Sequence, residues 1–234
     1  MKRIGILGGS SEHSTADYYR RLNAAINMRL GGLNTAELLI SSMNFALSAD
    51  CVHENRWREL GAYLAERAKA LQRAGADLLI CSSNTLHLVA DQFCEGLQMP
   101  FLHIADPTAT AMVSAGVRRA ALLGTLPVMS TESFPRRYEA RGVEIMVPRP
   151  DEQAVIHRII YDELCLGCIR DESRLRYLEI VDALVSRGAT GVVLGCTEIP
   201  LLLRQSDRPN VLMFDTTGLH VDAAADAALN PSAE

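Results

Sequence analysis

The chain has 234 residues, of which 48% are hydrophobic and 22% are charged, with a formal net charge of -5 and a pI near 5.7. A chain of this size buries one large core or two cores of about 100 residues each. The mild acidity excludes the basic surface that nucleic acids and acidic membranes require, so we expect neither as a partner.

Short apolar runs alternate with longer amphipathic segments along the chain. The predicted strands are 3–8, 37–42, 77–82, 100–104, 119–124, 143–147, 190–195 and 210–214. The predicted helices are 14–30, 54–74, 85–97, 106–116, 133–141, 152–167, 172–187 and 216–229. Because the strands are rich in Ile, Leu and Val on both faces, this alternation predicts an α/β fold of mostly parallel sheets flanked by helices.

The same features indicate a cellular location. No apolar run approaches the ~20 residues that a membrane-spanning helix needs. No signal peptide is visible, since the first predicted strand begins almost at once. The six cysteines are then most simply interpreted as reduced thiols, and we expect the protein in the cytoplasm.

Part of the chain repeats an earlier part without a gap. Residues 75–84 align with residues 188–197 at a shift of 113 positions, with matching Gly-Ala pairs and matching apolar runs. This alignment sets Ser83 on Cys196. Two small, potentially acid–base side chains at equivalent strand ends suit the movement of a proton between the two faces of one carbon.

A second repeat supports the first. Residues 2–9 align with residues 118–125 at a shift of 116 positions. Two matches in the same order, at nearly equal shifts, favour an internal duplication. We therefore expect two related halves, each of which begins with a basic pair, an apolar run and a turn of small residues.

Small and polar residues follow several predicted strands, at the edge where open α/β sheets bind ligands. The candidate substrate-binding residues at these turns are Gly9, Ser10, Asn84, Thr85, Thr125, Thr197 and Glu198. Hydroxyl, amide and backbone N–H groups at such turns suit a small carboxylate at a helix N-terminus. The alternative is structural, because Ser, Thr and Asn are also preferred helix N-caps. The first turn lacks the spacing and the lysine of nucleotide-binding loops, so we expect no nucleotide.

Motifs along almost the whole chain resemble those of the aspartate/glutamate racemase superfamily, most of all its broad amino-acid racemase branch. The matching stretches are Gly5-Ile6-Leu7-Gly8-Gly9, Ser14-Thr15 with Tyr18-Tyr19, Asn44-Phe45, Asn84-Thr85 with His87, Leu122-Leu123-Gly124-Thr125, Glu163-Leu164-Cys165-Leu166-Gly167, Gly195-Cys196-Thr197-Glu198, and Asp215-Thr216-Thr217 with His220. The resemblance implies two pseudo-symmetric α/β domains, which we expect to be formed by 1–104 plus 210–234 and by 105–209, with the active site in the interdomain cleft. Catalysis is expected to need no cofactor, with one thiol on each side of the substrate Cα. The resemblance also implies a small-molecule substrate, an amino acid or a small carboxylic acid, and a homodimer.

The catalytic pair implied by the resemblance is Ser83 and Cys196, and the first member departs from the pattern. Relatives carry Cys or, in some cases, Thr at this position. A thiol has a reference pKa near 8.5, whereas a serine hydroxyl is far less acidic and needs a base. His87, one helical turn away, is a possible auxiliary base, and His13 a possible cation or proton relay. Cys81, two residues before Ser83, is interpreted as part of the core.

Further departures concern the substrate. Val52 stands where near relatives carry Gln, Cys165 where aspartate-specific relatives carry Lys, and Ser10 where relatives carry Met. Losing a charged clamp removes a contact worth about 1.5–3 kcal/mol, so aspartate or glutamate is only one possibility in a broader range of amino acids. Cys165 and Cys168 have C-x-x-C spacing without a second pair or a nearby His, so we expect no metal.

Three functions remain open from the sequence. The first is a cofactor-independent amino-acid racemase that uses Cys196 and Ser83, favoured by the resemblance. The second is a single-thiol lyase, decarboxylase or isomerase of a small carboxylic acid. The third is a small-molecule binding module that kept the site and lost turnover.

Overall fold

A computed structural model describes residues 1–230, and contacts between Cα atoms divide the chain into two units. The first unit comprises residues 1–104 and the segment from His220 onward, and the second comprises Ala105–Leu219. The predicted boundaries differ at residues 210–219, which we expected in the first unit. The last four residues of the predicted segment 210–234 lie outside the described residues.

The helices and strands alternate along the chain, but the predicted strand 100–104 is wrong, because this segment forms only an isolated bridge between Phe101 and Leu79. The strands are β1 (Ile4–Gly8), β2 (Leu38–Ser42), β3 (Leu78–Cys81), β4 (Arg119–Gly124), β5 (Glu144–Met146), β6 (Gly191–Gly195) and β7 (Leu212–Asp215). The helices are α1 (Glu12–Leu30), α2 (Phe45–His53), α3 (Trp57–Arg73), α4 (Ala90–Phe93), α5 (Ala105–Ser114), α6 (Leu126–Ser130), α7 (Ser133–Glu139), α8 (Pro150–Asp162), α9 (Asp171–Ser186), α10 (Ile199–Leu202) and α11 (Thr216–Leu229). Short 3-10 helices cover Thr85–Val89, Leu164–Leu166 and Gln205–Asp207. Among the described residues, no helix is both long and apolar enough to span a membrane.

Each unit contains one parallel sheet. The order is β2-β1-β3 in the first unit and β5-β4-β6-β7 in the second. β7 pairs with β6 through hydrogen bonds of the second sheet, which is why residues 210–219 belong to the second unit. The predicted α/β fold with parallel sheets flanked by helices is confirmed.

The internal repeat of the sequence reappears as a repeat of strand register. In the first sheet Ile4 pairs with Leu78, and in the second sheet Ala120 pairs with Gly191. These partners are related by the same shifts of 116 and 113 positions that the sequence alignment gives. The strand ends that precede Ser83 and Cys196 are therefore equivalent in the two sheets.

Two strands of the first sheet, β1 and β3, are buried on both faces. Alternate residues of β1 and β3 enter two different hydrophobic clusters: Ile6 and Ile80 join one, and Leu7, Leu79 and Cys81 join the other. This division follows from the period of two along a strand. Cys81 is fully buried, which confirms its interpretation as a core residue.

The region between β2 and α3 contains a helix that the sequence prediction missed. Asn44 begins α2, because its side chain accepts a hydrogen bond from the Ala46 N–H at 3.2 Å. Asn55 adopts a positive φ of 57°, which Asn tolerates better than most residues, and this turn separates α2 from α3. The predicted helix 54–74 therefore begins later, at Trp57.

Gly9 provides a test of the turn after β1. Its φ is +89°, and an added Cβ would overlap the backbone of Met43. We expect Gly9→Ala to lower the free energy of unfolding by about 2–5 kcal/mol, combining left-handed strain with overpacking. Gly96→Ala is the matched control: its φ is +75°, with open space around the new Cβ, so a loss of about 1–2 kcal/mol is expected. Equal losses in urea unfolding would contradict the overlap with Met43.

Candidate active site

The turn after β1 is held by hydroxyl groups of α1. Ser11 is the N-cap, accepting the Ser14 N–H at 3.0 Å. Thr15 Oγ1 accepts the Gly9 N–H at 2.8 Å, so this predicted anion-binding amide is engaged inside the turn. Ser14 Oγ donates to the Ser82 carbonyl oxygen at 2.6 Å, which ties the turn to the end of β3.

Ser83 lies at the carboxyl end of β3 and is buried. Its Oγ accepts the Leu86 N–H at a distance of 3.5 Å. Its carbonyl oxygen accepts a hydrogen bond from His87 Nδ1 at 2.7 Å. Asn84 and Thr85, also buried, follow at the start of the 3-10 helix, where Asn84 has helical dihedrals and makes no side-chain cap bond to that helix.

The backbone partners of His87 fix its protonation. A carbonyl only accepts, so Nδ1 carries the proton, while Nε2 accepts the Ile104 N–H at 3.1 Å. The ring is buried and packs 4.5 Å from the His103 ring. These bonds occupy both ring nitrogens with backbone groups, which differs from the predicted role of His87 as a base for the Ser83 hydroxyl. His87 instead links the end of β3 to the segment before α5.

Cys196 lies at the carboxyl end of β6 and is 7% exposed. Its thiol donates to Glu198 Oε2 at 3.1 Å. The Thr197 hydroxyl donates to the same oxygen at 2.6 Å. Glu198, which we predicted to bind substrate, is itself only 4% exposed and uses this oxygen to hold the thiol.

Burial sets the protonation state of the thiol. Burial, and then the nearby Glu198 carboxylate, raise the pKa of Cys196 well above the value of an ordinary thiol. Burial raises the pKa of Cys165 to about 12, with Glu198 adding to the effect. Burial, with Cys165, Cys196 and Glu198, also raises the pKa of Tyr161. Cys196, Cys165 and Tyr161 are therefore uncharged at neutral pH, and the buried carboxylate near them is that of Glu198.

Thr125 occupies the N-cap position of α6 and is buried. Because Gly124 pairs with Gly195, Thr125 and Cys196 follow neighbouring strand ends of one sheet. The next amide, that of Leu126, donates to His157 Nδ1 at 3.1 Å. A histidine side chain of α8 therefore takes one of the first amides of α6.

The remaining candidates are Val52, His13 and Ser10. Val52 is buried in α2, within a hydrophobic cluster of the first unit, and not at the end of a strand. His13 is exposed on α1, with Nε2 3.9 Å from a Glu12 oxygen. Ser10 is half-buried in the turn before α1. Across residues 1–230, no group of three His, Cys, Asp or Glu side chains is placed to hold a metal ion.

The structure thus gathers the predicted residues in two sets, one in each unit. Ser83, Asn84 and Thr85 share one strand end of the first unit, while Thr125 and the Cys196–Glu198 stretch share an edge of the second sheet.

Sequence reasoning missed Tyr161. The signal was present, because Tyr161 lies four residues before Cys165 near the end of a helical segment, a spacing that brings two side chains to one side.

A duplicated α/β fold with a hydrogen-bonded thiol and carboxylate at a strand end defines a candidate proton-transfer enzyme. Comparison with known proteins gives the family: the sequence profile of the Asp/Glu/Hydantoin racemase family matches residues 5–224. The chain belongs to this family.

Individual relatives agree with this membership. A Yersinia pestis protein provisionally assigned as an Asp/Glu racemase is 38% identical, with a TM-score of 0.91 over 98% of this chain and 100% of that chain. PH1733, an aspartate racemase homologue from Pyrococcus horikoshii OT3, is 34% identical, with a TM-score of 0.82 over 98% and 100%. The broad-specificity amino-acid racemase RacX of Bacillus subtilis (strain 168) is 25% identical over 159 residues, which are 65% of this chain and 67% of that protein. Family membership and these relatives support a racemase activity.

His87 provides a test of the first strand end. We expect His87→Leu to lower the free energy of unfolding by about 2–4 kcal/mol, because the buried Ser83 carbonyl and Ile104 N–H each lose a hydrogen bond. The exposed His13 gives the control, since His13→Leu is expected to change stability by less than about 0.5 kcal/mol. Urea unfolding of both variants measures the difference, and a His87→Leu variant as stable as the parent contradicts the linking role.

Proposed function

We propose that this chain is a cofactor-independent amino-acid racemase in which Cys196 exchanges the Cα proton and Ser83 serves the opposite face. The observation that carries the proposal is the Cys196 thiol, hydrogen-bonded to a buried carboxylate at a strand end equivalent to that of Ser83. A thiol is the side chain of this pair that reaches an ionised state most easily.

The two sides have unequal chemistry in this proposal. Cys196 removes or returns a proton directly. Ser83 has no comparable acidity, and His87 is bonded to its carbonyl oxygen. Ser83 therefore acts as a hydrogen-bonding group that positions a water molecule, and this water carries the proton on that face. Asn84 and Thr85 hold the α-carboxylate.

The proposed substrates are amino acids without a strict requirement for a side-chain carboxylate. Cys165 stands where the resemblance places a lysine in aspartate-specific relatives, and burial keeps this thiol uncharged. A neutral side chain removes the charged clamp that selects a second carboxylate. The name of the Bacillus subtilis relative, a broad-specificity amino-acid racemase, is consistent with this proposal.

A second candidate is a single-thiol lyase, decarboxylase or isomerase of a small carboxylic acid. The observation that favours it is the engagement of His87 by backbone groups, which leaves Cys196 as the stronger acid–base group of the pair. The two candidates differ in their products. A racemase returns the enantiomer of its substrate, whereas a lyase or decarboxylase releases a fragment such as CO₂.

Incubation with single amino-acid enantiomers in D₂O tests the racemase. We expect deuterium to appear at Cα together with inversion. Mass spectrometry measures the deuterium, and chiral chromatography measures the inversion. Cys196→Ser should lower the exchange rate by about 10²–10⁴-fold, because it removes the positioned acid–base group. Cys168→Ser is the matched control, as this thiol of the same unit is exposed, and its rate should equal that of the parent. Equal rates for Cys196→Ser and the parent rule out the assignment.

Ser83→Cys tests the asymmetry between the two faces. A thiol at residue 83 supplies a more acidic group than the hydroxyl, so we expect faster inversion by about 10-fold or more at neutral pH. The ratio of inversion to deuterium exchange without inversion should rise as well. Ser82→Cys, one residue earlier, is the control and should give no gain, since Ser82 bonds to β1 and α1. An unchanged ratio in Ser83→Cys shows that Ser83 does not serve the second face.

A further inference from the structure

We propose that Glu198 is the immediate proton acceptor of the Cys196 thiol, so that thiol and carboxylate work as one base. This inference rests on the proposed function and gives Glu198 a role other than substrate binding. Glu198 is a positioning and proton-storing partner of Cys196, within one strand end of the second unit.

The contacts that carry the proposal converge on one oxygen atom. Glu198 Oε2 accepts the Cys196 thiol at 3.1 Å and the Thr197 hydroxyl at 2.6 Å. Both Cys196 and Glu198 are more than nine-tenths buried. The Thr197 hydroxyl holds the same carboxylate oxygen, so the thiol proton has an acceptor within hydrogen-bonding distance.

Charge explains why the thiol needs this acceptor. Burial disfavours a negative charge on the Cys196 thiol, and the Glu198 carboxylate in the same site repels a second negative charge. Burial and this repulsion both raise the pKa of Cys196. Loss of the thiol proton to solvent would place two charges side by side. Transfer of the same proton to Glu198 leaves one negative charge in the site and only moves it from oxygen to sulfur.

The proposed sequence balances in two steps. In the first, the S–H bond of Cys196 breaks and an O–H bond forms at Glu198 Oε2, which leaves a thiolate beside a carboxylic acid. In the second, the thiolate takes the Cα proton, so the Cα–H bond breaks, an S–H bond forms and the electron pair stays on the substrate. The pair then holds two protons and no charge, and it returns one proton to the substrate or to water.

Other titratable groups near the thiol are neutral in the same pH range. They are Tyr161 of α8, Cys165 in the following 3-10 helix and Tyr177 of α9, whose pKa values are all raised mainly by burial. Glu163 follows α8, and its charge contributes to the raised pKa of Tyr177. It also accepts a hydrogen bond from Ser173 at 2.6 Å. Glu198 is the carboxylate among these groups that is hydrogen-bonded to the Cys196 thiol.

The alkylation rate of Cys196 as a function of pH tests the pair without any substrate. Iodoacetamide labelling from about pH 6 to about pH 9, read by peptide mass spectrometry, follows the thiolate of this residue alone. In the parent we expect an interval in which the rate is flat, because internal transfer keeps the thiolate fraction constant while the pair holds one proton. In Glu198→Gln the thiol titrates alone, so the rate should rise about tenfold per pH unit throughout.

Two controls are matched to this measurement. Glu179→Gln removes an exposed carboxylate of the same unit, one that pairs with Arg176 at 2.7 Å, and should keep the flat interval. Cys168 is exposed and gives the labelling of a solvent-accessible thiol in the same digest. If Glu198→Gln does not fold, the parent profile alone decides.

The outcomes separate the pair from the proposed function. A parent rate that rises tenfold per pH unit throughout, or a Glu198→Gln profile equal to that of the parent, overturns the pair. A flat interval without deuterium uptake from any amino acid supports the pair and counts against the racemase. Deuterium uptake with a steep parent profile supports the racemase and overturns the pair.

Discussion

The parallel pairing of one central strand in each sheet is the constraint on which both strand ends depend. β1 and β4 each pair on both sides, so the carboxyl ends of their neighbours lie at one edge. A slip of one residue would turn every side chain of a strand to the other face. In the second sheet, glycines permit this register: an added Cβ at Gly124 would lie 2.8 Å from the Gly195 carbonyl oxygen, and one at Gly195 would lie 2.8 Å from that of Leu123. The position of Cys196 therefore follows from close backbone approach just before it.

The two strand ends share a backbone frame but differ in chemistry. The Ser83 hydroxyl accepts a hydrogen bond from a backbone amide, and its carbonyl oxygen accepts one from a neutral imidazole. These bonds stabilise the strand end, and neither partner is charged. Cys196 is hydrogen-bonded to a carboxylate that is buried with it. Adding a second buried charge beside the first is costly, whereas moving the existing charge over one hydrogen bond leaves the total charge of the site unchanged. The duplication therefore explains where the two groups lie, and the local partners explain how different they are.

The sequence predicted the strands well because their signal is local. Each strand from β1 to β6 lies inside a predicted segment, since a buried parallel strand is a short apolar run ended by a turn. The sheet to which a strand belongs is not local: residues 210–219 carry the same apolar pattern whichever unit they join, and only the hydrogen bonds between β6 and β7 decide. The same limit applied to His87. Its spacing from Ser83 predicted proximity, but the acceptor proved to be a carbonyl oxygen, and Ile104, its other partner, is 17 residues away.

A racemase with different acid–base groups on the two faces of its substrate does not favour one direction of the reaction. The two enantiomers have equal free energies in solution and pass through the same transition states, so kcat/KM must be equal in both directions. Under the proposed function, the difference between Cys196 and Ser83 therefore appears elsewhere. It changes kcat and KM together, and it changes how often a proton is exchanged with solvent before inversion. A buried thiol–carboxylate pair retains the proton it has taken, whereas a water held by Ser83 loses its proton to solvent quickly. A substrate that Cys196 deprotonates and then reprotonates before inversion should accordingly keep its original hydrogen, whereas protonation on the Ser83 face should introduce deuterium.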